Sequence, residues 1–207
     1  METETATRRK RPFRLSAKAF NLPNQLTSLR LILAVVSFYF IAGAHYLTAM
    51  VLFLIAAGTD WLDGYYARKY GQVTTLGRIL DPFADKVIIC GTFIFLAADP
   101  HMAEVPWGLR AWMVVVIVGR ELLVTALRSF IEDRGSDFSA NLSGKLKMVF
   151  QCLAASACLF YLPYVASETE APAWAWPLLV ASVWSAVVLT VYSGVVYVYV
   201  AAKLLRE

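Results

Sequence analysis

The residues that speak most directly of chemistry are four aspartates, Asp60, Asp63, Asp81 and Asp85. The first pair is spaced by three positions and the second by four, so each pair shares one face of a helix. All four adjoin strongly apolar runs, where an ionisable group costs at least ~2.5 kcal/mol and by default marks a functional site. Two helices that each carry a carboxylate pair, joined by a short loop over about Lys69–Leu80, can bring the four together. Four anions in one low-dielectric pocket repel, so either some are protonated or cations sit among them. Oxygen donors without His or Cys suit Mg²⁺, Mn²⁺ or Ca²⁺ rather than Zn²⁺, and the pocket suits one or two such ions. The small neighbours Gly64, Ala67 and Gly77 would let a bulky ligand approach the backbone, and Pro82 is expected in the first turn of its helix. A plainer reading pairs the aspartates with Arg68, Lys69, Arg78 and Lys86 at solvated helix ends. It explains any one aspartate, but not four at matched helical spacing.

A second group is basic. In Gly119-Arg120-Glu121-Leu122-Leu123-Val124-Thr125-Ala126-Leu127-Arg128, the residues Glu121, Thr125 and Arg128 share one helical face, with Arg120 beside it. Gly144-Lys145-Leu146-Lys147 opens the next apolar run. Arg120, Arg128, Lys145 and Lys147 together would bind a phosphate group. The plainer alternatives are membrane-face anchoring for the two lysines and pairing with Glu121 or Glu132 for the two arginines. His45 and His101 fall in breaks on the other side of the apolar runs.

Membrane helices must position these groups. The 207 residues are 59% apolar and 16% charged, with a mean hydropathy of +0.59. Soluble domains have about 45–50% apolar and about 25% charged residues. The composition excludes a disordered chain or a disulfide scaffold and argues against an ordinary cytosolic enzyme; the length suits one compact unit. Cys90, Cys152 and Cys158 lie inside apolar stretches without a CxxC and read as small buried residues.

A span needs ~20 apolar residues. No charged residue lies between Arg30 and Asp60, and Gly43-Ala44-His45 is a turn signal near the middle of that stretch. A hairpin puts the basic N-terminus (Arg8 to Lys18) and the cluster Arg68, Lys69, Arg78 and Lys86 on one side, as the positive-inside rule requires; a single long helix does not. The same logic predicts spans at about Asn24–Ala42, Tyr46 to beyond Thr59, Pro82–Ala98, Arg110–Ile131, Met148–Ser167 and Trp174–Lys203. The expected fold is therefore all-α and integral to the membrane, with six transmembrane helices and both termini cytoplasmic. Residues 1–22 form a basic tail with a short interfacial helix, and 23–207 form the membrane domain. A cleaved signal peptide ending near Ala42-Gly43-Ala44 fits poorly, because apolar character continues past the cut.

The pattern Asp60-x2-Asp63-Gly64-x2-Ala67-Arg68-x8-Gly77-x3-Asp81-x3-Asp85 resembles, at every fixed position, the signature of the CDP-alcohol phosphotransferases. The resemblance implies a six-helix homodimer with a polar cavity facing the cytoplasm. It implies that Asp60, Asp63, Asp81 and Asp85 hold a divalent metal, Mg²⁺ or Mn²⁺ and two per site, with Asp85 also the general base. Gly64, Ala67, Arg68 and Gly77 would lie along the cytidine diphosphate. The implied reaction is attack by an alcohol on the phosphorus of a CDP-linked lipid, releasing CMP. Phosphoryl transfer needs mainly positioning and charge neutralisation, which a metal clamp and a carboxylate base supply. No Ser, Cys or His nucleophile stands out, which favours direct displacement.

A phosphate-binding patch selects a phosphorylated acceptor over serine, choline or free inositol. The opening Asn21-Leu22-Pro23-Asn24-Gln25-Leu26-Thr27-Ser28-Leu29-Arg30, the Arg-Glu…Arg segment and Gly-Lys-x-Lys are similar to those of family members that use glycerol 3-phosphate. Asn24 and Thr27 are then expected at the nucleotide. Arg30 joins the acceptor phosphate or pairs with Glu121. The expected activity is transfer of the phosphatidyl group from CDP-diacylglycerol to sn-glycerol 3-phosphate, giving phosphatidylglycerophosphate and CMP. Phosphatidylglycerol, as in cardiolipin synthesis, and inositol phosphate are the alternative acceptors. A divalent-metal transporter is the alternative of another class, and it leaves Gly64, Ala67, Arg68 and Gly77 without a role. The expected location is a bacterial inner membrane with the site facing the cytoplasm, because Glu2 and Glu4 do not fit an acid-free transit segment.

Overall fold

A computed structural model describes residues 22–70, 75–132 and 142–204; within these ranges the side chains of residues 22–24, 60–70, 75–79, 81, 130, 132, 142–145 and 204 lie outside the described set. All regular structure among the described residues is helical: α1 (Leu22–Ala42), α2 (Tyr46–Tyr70), α3 (Thr75–Ala98), α4 (Pro100–Glu104), α5 (Ala111–Glu132), α6 (Leu142–Ala166) and α7 (Ala175–Leu204). Gln25–Ala42, Leu146–Ala166 and Ala175–Lys203 are long and apolar enough to cross a membrane, and Tyr46–Thr59 is a shorter apolar stretch. The first three are the helices among the described residues that meet that measure; α5 does not, because Arg120, Glu121 and Arg128 interrupt its apolar run, and α2 and α3 run into residues whose side chains lie outside the described set. Of the expected tail and interfacial helix over residues 1–22, residues 1–21 lie outside the described residues and Leu22 opens α1 instead.

The turn at Gly43-Ala44-His45 closes α1 with two C-terminal bonds: His45 N–H donates to the Phe40 carbonyl at 2.9 Å and Ala44 N–H to that of Ile41 at 3.0 Å. This geometry requires one left-handed residue. It is Ala44, at φ 57°, rather than the glycine beside it. Glu168, at φ 52°, closes α6 in the same way, with Thr169 N–H donating to the Tyr164 carbonyl at 2.9 Å.

Two local expectations need correction. Pro82 sits inside α3, not in its first turn, because that helix already begins at Thr75. The connection between α2 and α3 is accordingly residues 71–74 rather than the longer loop over Lys69–Leu80. Apolar periodicity marks only the lipid-depth part of a helix, and both helices continue past it into polar sequence. Pro82 removes the amide that would bond the carbonyl four residues earlier, as membrane helices tolerate. The break at residues 99–109 also holds a helix the pattern did not indicate, α4: Asp99 caps it by accepting from His101 N–H at 2.9 Å, and Pro100 opens it.

Helix α1 packs on α2 and α3, α6 on α7 and α2, and α5 on α7 and α3. Small residues permit the close approaches, as in membrane bundles generally. Ala34, Ala49 and Ala56 are fully buried, and the buried Ser37 hydroxyl donates to the Ala49 carbonyl at 3.0 Å. Gly91 of α3 lies under Phe38 of α1: a Cβ there would come within 2.2 Å of the ring, which also stacks on Phe95 at 5.0 Å. Ile32, Val35 and Tyr39 of α1 and Val188, Val195 and Tyr199 of α7 are exposed, giving the bundle an apolar perimeter suited to lipid.

The breaks at 43–45, 99–110 and 167–174 meet at one end of the bundle. There the Tyr46 hydroxyl donates to Asp99 Oδ2 at 2.8 Å, and Arg110 donates to the carbonyls of Met102 (2.9 Å) and Val105 (2.8 Å). Trp176 and Trp184 donate to the carbonyls of Pro106 and Trp107, each at 3.2 Å, and Trp174 stacks on Phe160 at 5.3 Å. Tryptophan gathered at one depth is the mark of a membrane–water interface.

Candidate active site

The aspartates stand on α2 and α3, which run back from their four-residue connection and pack on each other. Asp63 is seven residues before Tyr70 and Asp81 six after Thr75; Asp60 is ten before and Asp85 ten after. With a rise of about 1.5 Å per residue in both helices, the two pairs stand at matching heights from the connection. The side chains of Asp60, Asp63, Arg68 and Asp81, and the surroundings of Gly64, Ala67 and Gly77, lie outside the described residues, as do the side chains of Asn24 and Lys145. Among the described residues no three His, Cys, Asp or Glu side chains form a metal-holding group.

Asp85 is described, partly exposed on α3. Lys86 Nζ lies 3.5 Å from its Oδ2 and 3.2 Å from Oε2 of Glu121 on α5. Glu121, only 3% exposed, also takes Lys147 from α6 and Arg120, whose Nη1 is 3.3 Å from Oε1. One buried carboxylate thus gathers cations from three helices. An ionised group held this far from water persists only when it is paired and hydrogen-bonded. Thr125 turns its hydroxyl back to the Glu121 carbonyl at 2.7 Å, a local bond within α5.

Arg120 extends across α7. It donates to the Ser193 hydroxyl, and its guanidinium lies 5.3 Å from the centre of the Tyr197 ring, a cation–π arrangement. Gly194 makes the crossing possible: a Cβ there would stand 3.1 Å from Arg120 Cγ. Arg128 donates to the Tyr197 hydroxyl at a long 3.4 Å. The Nε atoms of Arg120 and Arg128 are buried and make no hydrogen bond. Such donors each cost about 1–3 kcal/mol unless something accepts from them.

The structure therefore brings Arg120 and Lys147 together on Glu121, with Lys86 linking them to Asp85, and Arg128 meets Arg120 at the Tyr197 side chain. The Arg120–Glu121 pairing that served as the plainer reading is also real, so the patch and the pair are one arrangement. Thr27 and Arg30 are buried on α1. Sequence reasoning left four members of the cluster out of the site: Glu121, Lys86, Ser193 and Tyr197. Lys86 read as a member of the cytoplasmic basic cluster and a pairing partner of the aspartates, and Glu121 as a pairing partner of the arginines. Ser193 and Tyr197 carried no signal, because both residue types are ordinary in an apolar helix.

Residues 20–200 match the family described as CDP-alcohol phosphatidyltransferase. The chain belongs to that family. Among curated proteins, it is similar to the CDP-diacylglycerol–glycerol-3-phosphate 3-phosphatidyltransferase of Bacillus subtilis, 37% identical over 193 residues covering 84% of this chain and 92% of that one. The protein of that name from Haemophilus influenzae is 33% identical over 192 residues, covering 88% of this chain and 94% of its own length. Its namesake from Salmonella typhimurium is 33% identical over 175 residues, covering 80% and 91%. Membership makes this chain a phosphatidyltransferase.

Proposed function

We propose that the protein transfers the phosphatidyl group of CDP-diacylglycerol to sn-glycerol 3-phosphate, giving phosphatidylglycerophosphate and CMP. The observation that carries the acceptor assignment is the pair of buried guanidinium Nε–H groups on Arg120 and Arg128 that make no hydrogen bond, the first beside the Glu121–Lys147 pair and the second joined to it through Tyr197. Arginine presents its donors as a rigid planar fork matched to phosphate oxygens. Choline and free inositol bring no anionic oxygen to these donors, and serine brings a carboxylate in place of a phosphate. The names of the similar proteins point the same way.

On this reading Arg120, Arg128, Lys145, Lys147 and Arg30 hold the acceptor phosphate, and Gly64, Ala67, Arg68, Gly77, Asn24 and Thr27 line the cytidine diphosphate. Asp85 takes the proton of the attacking hydroxyl, and an in-line displacement at the β-phosphorus of the lipid's diphosphate link releases CMP. Asp60, Asp63, Asp81 and Asp85 are an all-oxygen donor set of the kind Mg²⁺ or Mn²⁺ takes. A bound ion of that kind supplies neutralisation of charge on the diphosphate oxygens. The fold is read as six spans in a bacterial inner membrane with both termini and the site on the cytoplasmic side, and as a homodimer.

Purified protein in vesicles containing CDP-diacylglycerol and Mg²⁺ or Mn²⁺, offered labelled glycerol 3-phosphate, phosphatidylglycerol, inositol phosphate and serine in turn, tests the assignment. Labelled phosphatidylglycerophosphate and stoichiometric CMP are expected from the first acceptor alone. No turnover of glycerol 3-phosphate overturns it.

A further inference from the structure

We propose that Glu121 is a positioning residue of the acceptor site, the counter-ion that holds Lys86, Arg120 and Lys147 in one array, and that Lys86 thereby joins that array to Asp85. The inference rests on the acceptor reading above and goes beyond it, since neither residue belongs to the phosphate-binding set drawn from the sequence.

Glu121 is enclosed. Between Asp85, Lys86, Glu121, Lys147 and Gln151 there is a cavity of about 10 Å³. That is room for one water at most, and Glu121 is 3% exposed, so among the described residues no space lets an acceptor reach its carboxylate directly. Its effect must pass through the cations it touches.

Their charge fits the task. Lys86, Arg120, Arg128 and Lys147 against Asp85 and Glu121 leave an excess of two positive charges in this group of side chains. A phosphate monoester near pH 7 carries roughly −1.5 to −2. A phosphate of that charge therefore offsets the excess carried by these six described side chains.

Removing the carboxylate has two opposed effects. Loss of a negative charge strengthens the attraction of the site for any anion. Loss of the shared counter-ion sets three cations from three helices against one another without an intervening anion. The second effect dominates here, because the group is buried and the two lysines have long, freely rotating stems that turn toward water once released.

The test compares Glu121→Gln, which keeps the shape and removes the charge, with Glu121→Asp, which keeps the charge. In vesicles, Glu121→Gln is expected to raise the KM for glycerol 3-phosphate at least tenfold. The KM for CDP-diacylglycerol and kcat at saturating acceptor should stay within about threefold. Glu121→Asp should recover most of the loss. Binding of inorganic phosphate by calorimetry, which needs no turnover, should weaken in parallel. An unchanged or tighter phosphate affinity in Glu121→Gln overturns the inference, as does a loss that falls equally on both substrates in both variants, the mark of a merely structural role. If the wild-type protein binds phosphate through a Glu121-dependent array but does not turn over glycerol 3-phosphate, the acceptor assignment fails and the inference stands.

Discussion

Lys86 Nζ lies 3.2 Å from the Glu121 carboxylate and 3.5 Å from that of Asp85, so a single side chain ties the aspartate motif of α3 to the basic cluster on α5 and α6. The two halves of the proposed reaction, activation of a hydroxyl and recognition of a phosphate, are therefore adjacent. Glycerol 3-phosphate carries both groups on one three-carbon frame, which a short separation suits.

Asp85→Asn should abolish turnover, lowering kcat by about 10²–10⁴, because the amide cannot take a proton from the alcohol. CDP-lipid binding, followed by protection against heat denaturation, should remain. Chelation of divalent metal should also remove activity, and Mg²⁺ or Mn²⁺ should restore it. Turnover of the variant at the wild-type rate rejects Asp85 as the base.

Replacing Arg128 by Met or Lys147 by Met should raise the KM for glycerol 3-phosphate by about 10–100-fold, from the ~1.5–3 kcal/mol of a hydrogen bond to a charged group. The KM for CDP-diacylglycerol should hardly move. An unchanged acceptor response removes the phosphate patch from the mechanism.

The polar contacts at the opposite end of the bundle carry a contrasting expectation. Tyr46→Phe removes the hydroxyl that donates to Asp99 at 2.8 Å and should lower stability by about 1 kcal/mol. Neither KM should change. A shifted KM would mean that this end communicates with the site.

Ala44 adopts a left-handed conformation at φ 57°, which costs an L-residue roughly 1–2 kcal/mol. Glycine relieves that cost and gives back about 0.4–1 kcal/mol through a freer unfolded chain. Ala44→Gly should therefore raise the melting temperature of the detergent-solubilised protein slightly. A fall of several degrees would refute this account of the turn.

Gly91→Ala would drive a methyl to within 2.2 Å of the Phe38 ring and should destabilise by about 1–3 kcal/mol. Pairing it with Phe38→Leu should recover part of the loss. Equal melting temperatures for wild type and Gly91→Ala would show that α1 and α3 separate freely.

Much of this molecule is legible in its residues alone. Helical periodicity is local, so the aspartate spacings assign Asp60 and Asp63 to one face of a helix and Asp81 and Asp85 to one face of the next. Long apolar runs likewise locate the helices, and α1, α5 and α7 begin and end within a few residues of expectation. Where a helix outlasts its apolar stretch, as α3 does by starting at Thr75 before Pro82, that signal has nothing to report. What the linear chain does not contain is the rotation of one helix against another. Glu121 meets Lys147 across 26 positions, and Arg120 meets Ser193 across 73. Those meetings depend on how α5 packs against its neighbours and, for Arg120, on the gap Gly194 leaves in α7. Whether Glu121 is a surface partner of one arginine or the centre of a buried cationic array is a property of that packing alone.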